Sequence, residues 1–379
     1  MSHKKVPLLR LEPRAETARV MVYAAPLIAV VLTLIGGSIL FALLGFAPHV
    51  ALYNFFIAPI SDTYGLSELA VKATPLVLIA IGLSLGFRAN VWNIGAEGQL
   101  TIGALFGGMA ALALNDLTGW YILPLEIIVG VLAGMAWAAI PAFLRTRFNT
   151  NEILVSLMLT YIAQLLLNLL VHGPLRDPAA LGFPQSKAFS DATLLPTILE
   201  GTRVTSSTLI TLVIVGVAWV VVAKSFVGFQ IRVAGLAPAA ARYAGFRQPR
   251  LVWMTLLAGG GLAGLAGIFE VAGPIGQLQP TISPGYGFTA IIVAFLGRLH
   301  PLGILLAGLL VALSYLGGEA VQINMGMPLA VTGVFQGMLL FFLLACDVLV
   351  SYRIRWRGAG QGASGGTAAT VSGARAAKG

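Results

Sequence analysis

The feature that most limits what this chain can fold into is a succession of apolar runs, each close to the ~20 residues that a helix needs to cross a hydrocarbon layer. They occupy residues 20–46, 69–87, 94–114, 121–144, 153–171, 207–223, 251–272, 286–296, 301–317 and 328–350. A bilayer offers no water to satisfy backbone amides and carbonyls, so such runs are helical. The expected fold is all-α: a polytopic membrane protein of about ten transmembrane helices. The eighth run is short, and residues 49–60 read as a half-buried or re-entrant piece, so the count carries a margin of about one. Composition agrees, since 58% hydrophobic residues, 10% charged residues and a mean hydropathy of +0.91 lie outside the range of water-soluble domains.

Charge sets the expected orientation. With a cytosolic N-terminus and an even number of spans, only Lys72, Arg176, Lys187 and Arg203 fall outside, which leaves nineteen of the twenty-three lysines and arginines inside. That bias predicts that both termini are cytosolic. Residues 1–19 then form a cytosolic N-terminal segment, 20–350 a transmembrane domain, and 351–379 a disordered cytosolic tail rich in Gly, Ala, Ser and Thr. Residues 172–206 form the longest outer loop, large enough to be a docking surface. The net charge of +9 is explained by topology, so no nucleic-acid partner is expected. The lone Cys346 permits no internal disulfide, four scattered histidines make no metal-ligand pair, and no phosphate-binding GxxxxGK[ST] loop occurs.

Four stretches stand out. The loop 224–250 carries Lys224, Arg232, Arg242, Arg247 and Arg250 and no acid, so it is expected to be cytosolic. Within it Pro238 suits a helix start and Gly245 a helix stop, which predicts a helix over 238–244. So short a helix needs a docking partner, the membrane body or another protein, to hold it in order. Residues 86–99 crowd Arg88, Asn90, Asn93, Glu97 and Gln99 among glycines between two spans. They form either a tight turn, with Asn93 capping the third span and Glu97 complementing its dipole, or irregular backbone lining a translocation path. The candidate path residues are Asn90, Asn93, Glu97 and Gln99, joined by the intramembrane acid Glu270. Asn149 and Glu152 have capping-box spacing before the fifth span. Residues 259–267 formally contain GxGxxG, but they lie inside a span with no strand before them, so close helix packing through small residues is expected there.

The stretches NVWNIGAEGQLTIGA, NEILVSLMLTYIA and RVAGLAPAAARYAGF, in that order and followed by a glycine-rich span, resemble the permeases of bacterial ABC importers for ribose-type sugars, branched-chain amino acids and nucleosides. The nucleoside and simple-sugar branch is the nearest. The resemblance implies a membrane subunit with no enzymatic centre and no cofactor, translocating a small polar solute of the nucleoside or simple-sugar class. It further implies a second permease (identical or homologous), a cytosolic ABC ATPase and an extracellular substrate-binding protein or lipoprotein. The coupling segment would carry Arg232, Gly235, Ala240, Ala241, Arg242, Tyr243 and Gly245 toward the ATPase. The alternative is a secondary, ion-coupled transporter, which would need membrane acids, and Glu97, Glu270 and Asp347 are the candidates.

Overall fold

The computed structural model describes residues 9–13, 19–328 and 330–356. Its helices are α1 (Arg19–Leu43), α2 (Pro48–Leu52), α3 (Thr63–Arg88), α4 (Ala96–Ala113), α5 (Ile122–Phe148), α6 (Glu152–His172), α7 (Ser206–Lys224), α8 (Phe226–Leu236), α9 (Pro238–Tyr243), α10 (Gln248–Glu270), α11 (Tyr286–Leu296), α12 (Pro301–Met325) and α13 (Ala330–Ser351). Two units result: residues 31–341, and a second unit that unites the two chain ends. In the second, β1 (Leu9–Pro13) pairs antiparallel with β2 (Tyr352–Trp356), a local departure from the all-α expectation. Of residues 351–379, expected to be disordered, 351–356 form the end of α13 and β2, while 357–379 lie outside the described residues, as does the side chain of Asp347.

Each of the ten expected runs carries a helix. Among the described residues, seven helical segments are long and apolar enough to cross a membrane: Ala24–Leu43, Thr63–Arg88, Ile122–Phe148, Glu152–His172, Ser206–Lys224, Gln248–Ile275 and Pro301–Met325. The three others fall short for different reasons. The first turn of α4 is polar, α11 has 11 residues, and in α13 the described side chains end at Cys346 although the helix itself runs to Ser351. The expected re-entrant piece is an irregular helical segment in which α2 runs into a π-turn, Tyr53–Ile57, and a 3-10 turn, Ala58–Ile60. It is held by Phe55, which stacks on Phe335 with ring centroids 4.6 Å apart.

The centre of the large unit is α3, α4, α5 and α10, brought together by glycine. A Cβ on Gly82 would stand 3.0 Å from the Cα of Gly259, and Cβ atoms on Gly103, Gly134 or Gly264 would overlap the facing backbone. Helices that have no water to expel gain their association from such close van der Waals contact. The small-residue packing expected for residues 259–267 is thus what the structure contains, and it buries 78% of the apolar stretch of α3 against 22% of that of α6. On α6, Leu154, Met158, Leu165 and Leu169 are exposed on one face, an apolar surface of the kind that meets lipid.

Candidate functional site

Two helices begin where a through-going span would not. Eleven residues of α11 rise only about 16 Å, half of a hydrocarbon layer of about 30 Å. The C-terminal end of α11 is level with the end of α3, because Arg88 Nε and Nη2 donate to the Leu299 carbonyl at 3.0 and 2.8 Å. The rings of Phe87, Trp92 and Phe295 stack at the same level. The first turn of α11 therefore lies at mid-depth, and there it meets the first turn of α4. The Gly287 N–H donates to Glu97 Oε2 at 2.6 Å. Ser283 lies beside the same carboxylate, its hydroxyl oxygen accepting from the Gly285 and Tyr286 amides at 3.1 and 2.8 Å. Gly287 has no room for a Cβ, which would fall on the Glu97 backbone. A carboxylate at the junction of two helix N-termini complements both dipoles and satisfies amides that no earlier turn can reach.

Residues 89–90 turn off the end of α3, and residues 91–95 lead into this junction as irregular, non-helical chain. Asn93 and Gln99 clasp each other through both amide groups, Nδ2 to Oε1 at 2.8 Å and Nε2 to Oδ1 at 3.1 Å, while Asn93 Oδ1 also accepts from Gly95 N–H at 3.0 Å. Asn93, Glu97 and Gln99 are buried. Of the path candidates the structure thus brings these three together, their polar atoms turned onto one another and onto α11. Asn90 stands apart at the end of α3, with φ 57° and its Oδ1 accepting from the Trp92 indole at 3.1 Å.

Two local expectations are corrected. Asn93 does not cap α4, whose N-cap is Gly95. Nor do Asn149 and Glu152 form a capping box: Asn149 is the left-handed C-cap of α5, and Asn151 caps α6 by accepting from Ile153 N–H at 2.9 Å. Glu152 instead pairs with Arg145 and accepts from the Trp92 amide, because a guanidinium in the last turn of α5 is a stronger partner than a backbone N–H.

Glu270 lies elsewhere, at the other end of the bundle. With Val71, Thr74, Pro75, Arg203, Thr205, Ser207, Phe269 and Pro274 it lines a small cavity of about 10 Å³, the size of one water. Glu68 grips Arg203, whose Nε donates to Glu68 Oε1 at 2.9 Å, and Lys72 pairs with Glu319 at 2.8 Å. The hydrogen bond to Glu68 holds the Arg203 guanidinium above its usual pKa range. Hydroxyls crowd the same end, with Thr74 and Thr208 3.1 Å apart and Thr205 and Ser207 2.7 Å apart. The Glu68 and Glu319 pairings escape sequence reasoning because their partners are 135 and 247 residues away.

At the Arg88 end, α8 and α9 form the basic segment. Helix α9 starts at Pro238 as expected and ends one residue early, at Tyr243, with Gly245 at φ 81°. Ala241 is buried, whereas Ala240, Arg242, Tyr243 (98% exposed) and Arg232 face outward. Gly235 is half-buried and packs on the Arg88 carbonyl. Arg242, Phe246, Arg247, Gln248, Pro249 and Arg250 line an open cleft beside α9.

Residues 65–344 match the family model described as branched-chain amino acid transport system / permease component. The chain is 35% identical to the glucose ABC transporter permease protein TsgB13 of Haloferax volcanii, over 91% of this chain and 93% of that protein. It is 29% identical to the guanosine ABC transporter permease protein NupP of Bacillus subtilis, over 87% and 94%. With the nucleoside ABC transporter permease protein NupB of Lactococcus lactis it shares 30% over 86% and 91%. No solved structure matches. Bundle, half-helices and similarity agree: the chain belongs to the branched-chain amino acid transport system permease family, as a multi-pass permease subunit of an ABC importer in the cell membrane.

Proposed function

We propose that this subunit moves a small hydroxyl-bearing solute of the nucleoside or simple-sugar class inward across the cytoplasmic membrane, driven by ATP hydrolysis on a separate cytosolic ABC subunit. The named roles of the relatives, glucose, guanosine and nucleoside transport, support that class. A second permease, identical or homologous, completes the membrane body, and an extracellular binding protein or lipoprotein delivers the solute. The chain crosses ten times with both termini in the cytosol. Pairing of β1 with β2 supports this, because two ends that meet on one side require an even number of crossings. Asn90, Asn93, Glu97 and Gln99 shape the path from within, and Glu270 faces the solute beside Arg203. A carboxylate next to a guanidinium, ringed by hydroxyls, suits a polyol, which both donates and accepts hydrogen bonds.

One observation carries the coupling to the ATPase. Helix α9 buries Ala241 and turns Ala240, Arg242 and Tyr243 outward, and a six-residue helix with such a face gains order from a docked partner. Arg232, Gly235 and Gly245 set its attachment to the membrane body. Ala240→Trp is expected to leave membrane insertion intact and to abolish co-purification of the ATPase. Full retention of co-purification and of solute-stimulated hydrolysis refutes the docking role. Uptake of labelled nucleosides and pentoses by cells with and without the gene tests the solute class, and uptake of neither refutes it.

A further inference from the structure

A continuous line of contacts joins the basic segment to the half-helix α11. Gly235, in the last turn of α8, lies against the Arg88 carbonyl so closely that a Cβ would overlap it, so α8 has no slack relative to the end of α3. From the same residue the guanidinium reaches the other way, and both its Nε and its Nη2 donate to Leu299 O. Arg298 and Leu299 have φ 55° and 57°, the left-handed turn that ends α11. Arg88 is half-buried, and the charged neighbour that acts on it is the like charge of Arg232 on α8. The other end of α11 closes on Glu97 through Gly287.

We propose that Arg88 is a positioning residue that delivers movement of the α8–α9 segment to α11, its forked grip on the Leu299 carbonyl turning docking at one surface into displacement of the half-helix at mid-depth. The proposal rests on the reading of α9 as the ATPase-docking helix. Guanidinium suits the task because two donors in a rigid plane fix both the distance and the direction of the carbonyl they hold, whereas an ammonium on a flexible stem fixes neither. A cation at the C-terminal end of α11 also complements its dipole, which adds to the grip.

The test uses the full transporter in liposomes, with co-purification of the ATPase, ATP hydrolysis and solute uptake measured on one preparation. Arg88→Gln is expected to keep co-purification and to leave hydrolysis within about twofold, while uptake per ATP hydrolysed falls about tenfold, the scale of one lost charge-assisted hydrogen bond. Arg88→Lys should recover part of the ratio. Gly235→Ala, which presses α8 off the Arg88 carbonyl, should lower the same ratio and serves as the deciding variant if Arg88→Gln does not assemble. A wild-type ratio in an assembled Arg88→Gln transporter, or in Gly235→Ala, overturns the proposal. Failure of the docking reading shows separately, as co-purification that Ala240→Trp does not disturb.

Discussion

Replacing Glu97 by alanine separates two roles for a buried carboxylate: holding α11 in place, or touching the solute. The substitution strips the Gly287 N–H of its acceptor 2.6 Å away and leaves the donor buried, which costs about 1–3 kcal/mol. Removing a negative charge from between two helix N-termini adds about 0.3–1 kcal/mol. The total is roughly 1.3–4 kcal/mol. At about 2 °C per kcal/mol for a large domain, the unfolding midpoint of the purified subunit should fall by about 3–8 °C. Glu97→Gln keeps an acceptor oxygen for Gly287, so its loss should be less than half as large. Thermal unfolding in detergent, followed by tryptophan fluorescence, measures both, with uptake assayed beside it. If Glu97→Ala unfolds at the wild-type temperature while uptake is abolished, the carboxylate acts on the solute and the account of the helix junction is wrong.

Two further outcomes follow from the geometry. A cysteine at Tyr243, 98% exposed on α9, should resist an impermeant thiol reagent on intact cells and react once the membrane is opened, while buried Cys346 stays silent; labelling of intact cells refutes the cytosolic placement. Gly264→Leu places side-chain atoms on the backbone of Gly130 and Gly134 and should destabilise by at least about 3 kcal/mol, read as lost assembled protein, whereas Gly216→Ala, with nothing within 4 Å, should be neutral.

Features that depend on neighbours in sequence are legible in the residues themselves. The helical runs follow from apolar length, the α10 stripe from spaced glycines, and the start of α9 from Pro238. The junction of α4 with α11 depends on a partner 190 residues away, and no local rule pairs Glu97 with Gly287. A signal is nevertheless present. Residues 286–296 are too short to cross, and Gly273, Pro274, Gly276, Pro280, Pro284 and Gly285 interrupt the approach to them, the mark of a discontinuous membrane helix. Its counterpart starts at another glycine N-cap, Gly95 opposite Gly285. The spacing of Asn149 and Glu152 misleads because Arg145, a turn earlier, outcompetes a backbone amide for the carboxylate. Glu126 is a membrane acid that no motif singles out, yet it is fully buried in the second turn of α5 with neither oxygen hydrogen-bonded.

The same long-range contacts indicate where movement must fall. The cavity at Glu270 holds about 10 Å³, whereas small-molecule sites run to about 300 Å³ or more, so on the proposed path passage of a solute would require a displacement far larger than a rotamer change. Helices α4, α5 and α10 cannot supply it separately, since their glycine contacts leave no spare distance between backbones. Helix α11 is short and is held at its ends. Before it, the chain is strapped to the segment between α6 and α7 by Ser186 N–H to Leu278 O at 2.9 Å, Phe189 N–H to Gly276 O at 2.9 Å and Leu195 N–H to Ala272 O at 2.8 Å. After it, the Arg88 fork holds Leu299. The segment proposed as the outer docking loop is therefore itself bonded to the chain that leads into α11. A partner that shifts this strap from outside, and one that shifts α8 from the cytosol, would act on opposite ends of one rigid half-helix. On the proposed function, a single short element would then suffice to link solute delivery to ATP hydrolysis, with the glycine-packed centre as its frame.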